Sequence, residues 1–133
     1  MLRLEVAALY AGVNILILLV LAVVVVMGRR HHKIALGDAG NQYFARAVRA
    51  HANAAEYIPA GLVGIVLLSL FEGSPLWLLH AAGGSLTAGR LLHGFGLNSG
   101  MLNLGRSLGV LLTWAAYVLV GAGLIHAAVA QQL

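Results

Sequence analysis

The chain has 133 residues, 61% hydrophobic and only 9% charged, with a mean hydropathy of +0.93, against about 45–50% apolar and about 25% charged residues in soluble domains. That composition excludes a soluble globule, a disordered segment and a nucleic-acid-binding tail, and the length allows one domain over residues 1–133. The net charge of +4 comes from short basic clusters set between apolar runs, as at the flanks of membrane spans facing anionic headgroups, and the absence of cysteine removes disulfides, thiolate metal sites and a catalytic thiol.

From Val6 to Gly28 no charge appears and Asn14 is the one strongly polar side chain, enough to cross a hydrocarbon core that needs about 20 residues. A cleaved signal peptide would need a shorter apolar region and a small-residue cleavage site, which Met27-Gly28-Arg29-Arg30 does not offer. Tyr57–Phe71 is short for a span, but Phe44–Glu56 before it holds no Gly or Pro and extends it backward as helix. The resulting helix is about 40 Å long, projects past the membrane edge, and is expected to kink at Pro59. Glu72-Gly73-Ser74-Pro75 reads as a turn with Pro75 opening the third helix. Gly94–Gly100 reads as a loop, and a fourth apolar helix follows.

The predicted fold is thus all-α: a four-helix transmembrane bundle with spans at roughly 5–28, 44–71, 76–93 and 104–129. Arg29, Arg30, His31, His32 and Lys33 follow span one, and Arg90 and Arg106 flank the connection after span three. By the excess of positive charge both connections are cytoplasmic and both termini lie on the non-cytoplasmic side. Seventeen glycines, several within the spans, predict close helix contacts, part of them between subunits.

The richest segment for chemistry is Arg46–Pro59. At 100° per residue Arg46, Arg49, Asn53, Glu56 and Tyr57 fall within an arc of roughly 100°, while His51 points elsewhere. A guanidinium can clamp a carboxylate, Asn both donates and accepts, Glu can hold an ammonium, and Tyr can donate a proton. This strip fits a small zwitterionic, peptide-like ligand. The same residues also fit a role without ligand, bonding one another and tying helices together.

On the third helix His80, Gly83, Gly84, Thr87 and Arg90 make a small, polar-edged face for another helix. Arg90 there is either the partner of Glu56 or a second anion clamp. His93 ends that helix, where a solvated interfacial ring is expected. Arg106 opens the fourth, where a cation opposes the helix dipole, and Thr113 and Tyr117 on its face are expected to make structural hydrogen bonds. No metal-ligand cluster, phosphate loop or nucleophile elbow occurs.

Arg49-Ala-His51-Ala-Asn53-Ala-Ala-Glu56-Tyr57-Ile-Pro59, on the second of four spans and after a basic pair ending the first, resembles the motif of the MAPEG superfamily, membrane-associated proteins in eicosanoid and glutathione metabolism. With Gly37-Asp38-Ala39-Gly40 and Ala88-Gly89-Arg90-Leu91-Leu92-His93, the chain is most similar to small bacterial inner-membrane members. The resemblance implies a homotrimer with glutathione, and no metal, bound between neighbouring subunits near the cytoplasmic face. It implies binding positions at Arg49, His51, Asn53, Glu56, Tyr57, Arg90 and His93, and at Arg30 with Arg29 beside it. Transferases of the family stabilise the glutathione thiolate with an arginine after span three. This chain has none between Arg90 and Arg106, which leaves Arg106 as the catalytic candidate. The expected function is a glutathione transferase or peroxidase acting on hydrophobic electrophiles from the membrane lipids, with no nucleic-acid partner. The alternatives are a non-catalytic lipid-binding or scaffold protein on the same fold, and a small channel.

Overall fold

A computed structural model describes residues 2–98 and 104–130. They form four helices: α1 (Leu2–His32), α2 (Gln42–Leu70), α3 (Leu76–Asn98) and α4 (Leu104–Ala130). α1, α2 and α4 are each long and apolar enough to cross a membrane. α3 is not among those three by composition, because it carries His80, Arg90, His93 and several glycines. It nevertheless runs antiparallel to α4, from Leu78 beside Gly123 to His93 beside Gly109, and so shares the depth of α4. The central pair is α2 and α3. α1 lies on one side of it and α4 on the other, and α1 and α4 share no contact among the described residues.

The helix ends show what the sequence left open. α1 continues past Gly28 through Arg29, Arg30, His31 and His32, and the positive charge of the two arginines complements the negative end of the helix dipole. It closes with the paired bonds of a Schellman motif, Ile34 N–H to the Arg29 carbonyl at 3.0 Å and Lys33 N–H to the Arg30 carbonyl at 3.4 Å. Lys33, at φ +54°, takes the left-handed position that glycine usually fills. The connection to α2 then turns on Gly37 and Gly40, both at positive φ, with Asp38 Oδ1 accepting from Gly40 N–H at 2.9 Å. Asn41 caps α2, its side-chain oxygen accepting from the N–H of Tyr43 and of Phe44 at 3.1 Å each. That cap starts the helix at Gln42, two residues before the expected Phe44. α2 continues without interruption through Pro59.

The segment Gly94–Asn98, expected as the start of a loop, is helical and extends α3. Ser99 and Gly100, the rest of that expected loop, lie outside the described residues. Gly94 faces Leu21 of α1 and Leu97 is buried, so these residues are packing positions. In a membrane interior glycine admits a neighbouring helix instead of breaking its own.

The core gathers Val6 and Ala7 of α1, Ile65 and Leu68 of α2, Leu79, Ala82 and Leu86 of α3, and Ala116 and Val120 of α4. Glycines set the closest approaches. A Cβ on Gly89 would lie 2.8 Å from the Gly109 carbonyl oxygen, and one on Gly109 2.6 Å from the His93 nitrogen, so α3 and α4 meet backbone to backbone. The α3 face read from the sequence does receive a helix. α1 lays the Tyr10 ring over Gly83, bonds the Tyr10 hydroxyl to His80 Nδ1 at 3.1 Å, and sends the fully buried Asn14 amide to Thr87 Oγ1 at 2.8 Å.

Candidate functional site

Along α2, Ala50, Ala54 and Ile58 are buried and define the inward face of the helix. Asn53 and Tyr57 stand at the edge of that face, whereas Arg49 and Glu56 fall on the far side of the helix. The polar strip of the sequence is therefore divided between an inner and an outer pair.

The inner pair meets Arg90, whose residue is only 2% exposed. One terminal nitrogen of its guanidinium donates to Asn53 Oδ1 at 2.6 Å. The other donates to Thr113 Oγ1 at 2.5 Å and, more weakly, to the Gly109 carbonyl at 3.4 Å. The guanidinium carbon stands 5.1 Å from the centre of the Tyr57 ring, a cation–π placement. The Thr113 hydroxyl donates to the Gly109 carbonyl at 2.8 Å, which leaves its oxygen free to accept. Tyr117 meets Tyr57 edge-on at 5.8 Å and donates to the Tyr57 carbonyl at 2.7 Å. The structural hydrogen bonds expected of Thr113 and Tyr117 are both present. Arg90 Nε is buried and makes no hydrogen bond.

The outer pair is an ion pair, Arg49 to Glu56 at 3.6 Å, with side chains 63% and 53% exposed. Glu56 thus pairs with Arg49, and the expected alternative of a Glu56–Arg90 pair is not formed. Two exposed charges at that distance stabilise one chain by about 0–1 kcal/mol, so their burial must come from elsewhere if they form a site.

His93 differs from the solvated ring expected of it. It is buried against Gly109, and its Nδ1 is buried without a hydrogen-bond partner among the described residues. The glycine contact between α3 and α4 encloses the ring. Arg90 and His93 are thus buried between α3 and its neighbours, whereas Arg49 and Glu56 stand exposed on the outer side of α2. Arg106 also borders a shallow hollow with Val110, Leu111 and Trp114.

One candidate serves the chain connection. Arg29 donates to the carbonyls of Gly37 at 3.2 Å and Ala35 at 3.4 Å and lies over the Phe44 ring at 5.5 Å, holding the α1–α2 loop closed. Arg30 is exposed beside it. His51 is partly buried on another face of α2. The described residues contain no group of three or more His, Cys, Asp or Glu placed to hold a metal. The residue the sequence reading missed as a participant is Gly109, which acts through a carbonyl and leaves no side-chain signal.

The arrangement defines an integral membrane helical bundle with a buried arginine, Arg90, at a polar centre between α2, α3 and α4. The MAPEG family model matches residues 7–126, and the chain belongs to that family. It is similar to the inner membrane protein YecN of Escherichia coli strain K12, at 37% identity over 115 residues covering 86% of each chain. The YecN of Escherichia coli O6:H1 strain CFT073 matches to the same extent.

Proposed function

We propose that this chain binds glutathione and uses it as a transferase or peroxidase cosubstrate toward hydrophobic electrophiles dissolved in the inner membrane. The observation that carries this reading is the buried Arg90 held against Asn53 and Tyr57 of α2, with the exposed Arg49–Glu56 ion pair on the outer side of the same stretch of helix. Guanidinium groups at Arg49 and Arg90 with the carboxylate of Glu56 suit a ligand with two carboxylates, one ammonium and an ionisable thiol. Nearby positive charge lowers the pKa of a thiol, making the attacking thiolate available at neutral pH. Arg49 and Glu56 present their charges outward, so a homotrimer in which a neighbour covers them completes the site. Asn53 and Tyr57, held by Arg90, form its inner wall, and Arg106 stands as the thiolate-stabilising candidate.

The test is calorimetric titration of glutathione into the detergent-purified protein, with Arg49→Ala beside it. Removing a carboxylate clamp is expected to weaken binding by about 1–3 kcal/mol. Thiolate absorbance in the ultraviolet is expected to rise with bound glutathione and to fall in Arg106→Gln. Binding without a thiolate signal makes the protein a non-catalytic member of its family. Unchanged affinity in folded Arg49→Ala removes that residue from the site.

A further inference from the structure

The connection between α1 and α2 is exposed yet tightly held. Four of its residues take positive φ, and two of these, Lys33 at +54° and Ala39 at +49°, are not glycine, a conformation that a side chain makes unfavourable. Arg29 donates to the carbonyls of Ala35 and Gly37, Asn41 N–H donates to the Asp38 carbonyl at 3.0 Å, and Asp38 Oδ1 accepts from Gly40 N–H. Strain persists where the surroundings over-determine it, and it collects at functional surfaces. The shape held in this way displays Leu36 at 88% exposure, and the first turn of α2 beside it displays Tyr43 at 79%. The Arg46 guanidinium carbon stands 5.4 Å from the centre of the Tyr43 ring.

Depth decides what meets this surface. A Cβ on Gly28, the last residue of the charge-free run of α1, would touch the Phe44 ring, so Gly28 and Phe44 lie at one level. From there α1 continues to His32, about 6 Å further, and the headgroup layer on each side of the hydrocarbon core is about 5–8 Å thick. The connection therefore lies among lipid headgroups. Charge decides which ones. Residues 29–46 hold Arg29, Arg30, Lys33 and Arg46 against a single carboxylate, Asp38, which is turned onto Gly40. Among the described residues neither Lys33 nor Arg46 forms an ion pair. A second copy presenting the same surface would set like charges together, a repulsive arrangement. A basic flank that only orients the chain needs charge alone, and requires neither a lysine in the left-handed region nor an exposed leucine.

We propose that the α1–α2 connection is a lipid-anchoring surface selective for anionic phospholipid headgroups of the phosphatidylglycerol kind. Lys33 and Arg46 meet the headgroup charge, and Leu36 and Tyr43 rest at the boundary between headgroups and acyl chains, the zone that suits an amphipathic ring. The proposal is independent of the glutathione reading, because none of these four residues is among its binding positions.

The experiment reconstitutes the protein in phosphatidylcholine vesicles with spin-labelled lipids, whose motionally restricted fraction gives the association of phosphatidylglycerol relative to phosphatidylcholine. That ratio is expected to lie well above unity and to fall at high salt, which screens exposed charge. Lys33→Gly and Arg46→Gln are each expected to lower it by up to about fivefold, the effect of one basic residue near an anionic surface. Lys33→Gly also relieves the backbone, so its loss of lipid preference is expected in a protein at least as stable as the unsubstituted one, and Lys33→Arg is expected to keep the preference. A bimane fluorophore on Leu36→Cys is expected to report an apolar surrounding and to be quenched by lipid spin-labelled near its carbonyls. A ratio of unity in the unsubstituted protein, the result expected if a soluble acidic partner covers the connection, overturns the proposal. So does an unchanged ratio in the folded double variant Lys33→Gly/Arg46→Gln, or a bimane emission matching that in water. Glutathione titration of Lys33→Gly is expected to match the unsubstituted protein, so the two readings fail separately.

Discussion

At the scale of single residues, the choice of partners by Arg90 decides the interior. From the sequence, Glu56 has the opposite charge and a plausible height, but α2 turns it away. Ala50, Ala54 and Ile58 fix the inward face by packing, and Glu56 lies on the opposite side by helical geometry. Asn53 is left as the acceptor. The residue types of the site were therefore legible, and their pairing was not, because pairing depends on the rotation of α2 against α3. The hydrogen bond to Thr113 gives a direct test. Thr113→Val conserves shape and leaves the second terminal nitrogen of Arg90 with only the 3.4 Å contact to Gly109. A loss of about 1–3 kcal/mol is expected, read as a lower unfolding midpoint in detergent. Combined with Asn53→Leu it should be non-additive, since both remove acceptors from one guanidinium.

At the scale of elements, the same glycine-rich composition carries two meanings that spacing alone does not separate. Gly37 and Gly40 turn the chain at positive φ, whereas Gly89, Gly94 and Gly109 are helix-contact positions. The expected loop at Gly94 treated a contact glycine as a turn glycine. Helix number and order followed from the long apolar runs, while the ends depended on caps such as Asn41 and on the basic last turn of α1. Two substitutions separate the meanings. Gly109→Ala places its methyl against backbone on α3, which cannot rotate away, and is expected to cost about 1–3 kcal/mol. Gly28→Ala meets only the Phe44 ring and is expected to cost less. Lys33→Gly, at the left-handed C-terminal position of α1, is expected to raise stability by about 1 kcal/mol, measured by the same detergent unfolding.

At the scale of the whole molecule, the outward charges of α2 and the lipid-facing surfaces of α1 and α4 call for neighbours. A cross-linking ladder in mild detergent is expected to stop at three subunits, and a clean monomer would count against a site shared between copies. The absence of cysteine makes orientation simple to measure. Leu36→Cys, at an 88% exposed position in the α1–α2 connection, is expected to resist a membrane-impermeant maleimide in intact cells. Glu72→Cys, in the α2–α3 turn, is expected to react. The opposite pattern would invert the assignment of basic loops to the cytoplasm.

The neutral cradle around Arg90 also dictates how the protein is made. An arginine within a span raises its cost of entering the membrane, by up to about 2.5–3.5 kcal/mol at the centre, and α3 is the helix that composition does not mark as a span. Asn53 precedes Arg90 in synthesis, but Thr113 and the Gly109 carbonyl follow it. As the ribosome completes α3, its guanidinium has one of its three oxygen partners, and the helix gains a settled place only when α4 arrives. α3 and α4 should therefore enter the bilayer together as a hairpin. A nascent chain cut after Asn98 is expected to leave α3 outside the membrane in a glycosylation-mapping assay, and the full-length chain to integrate it.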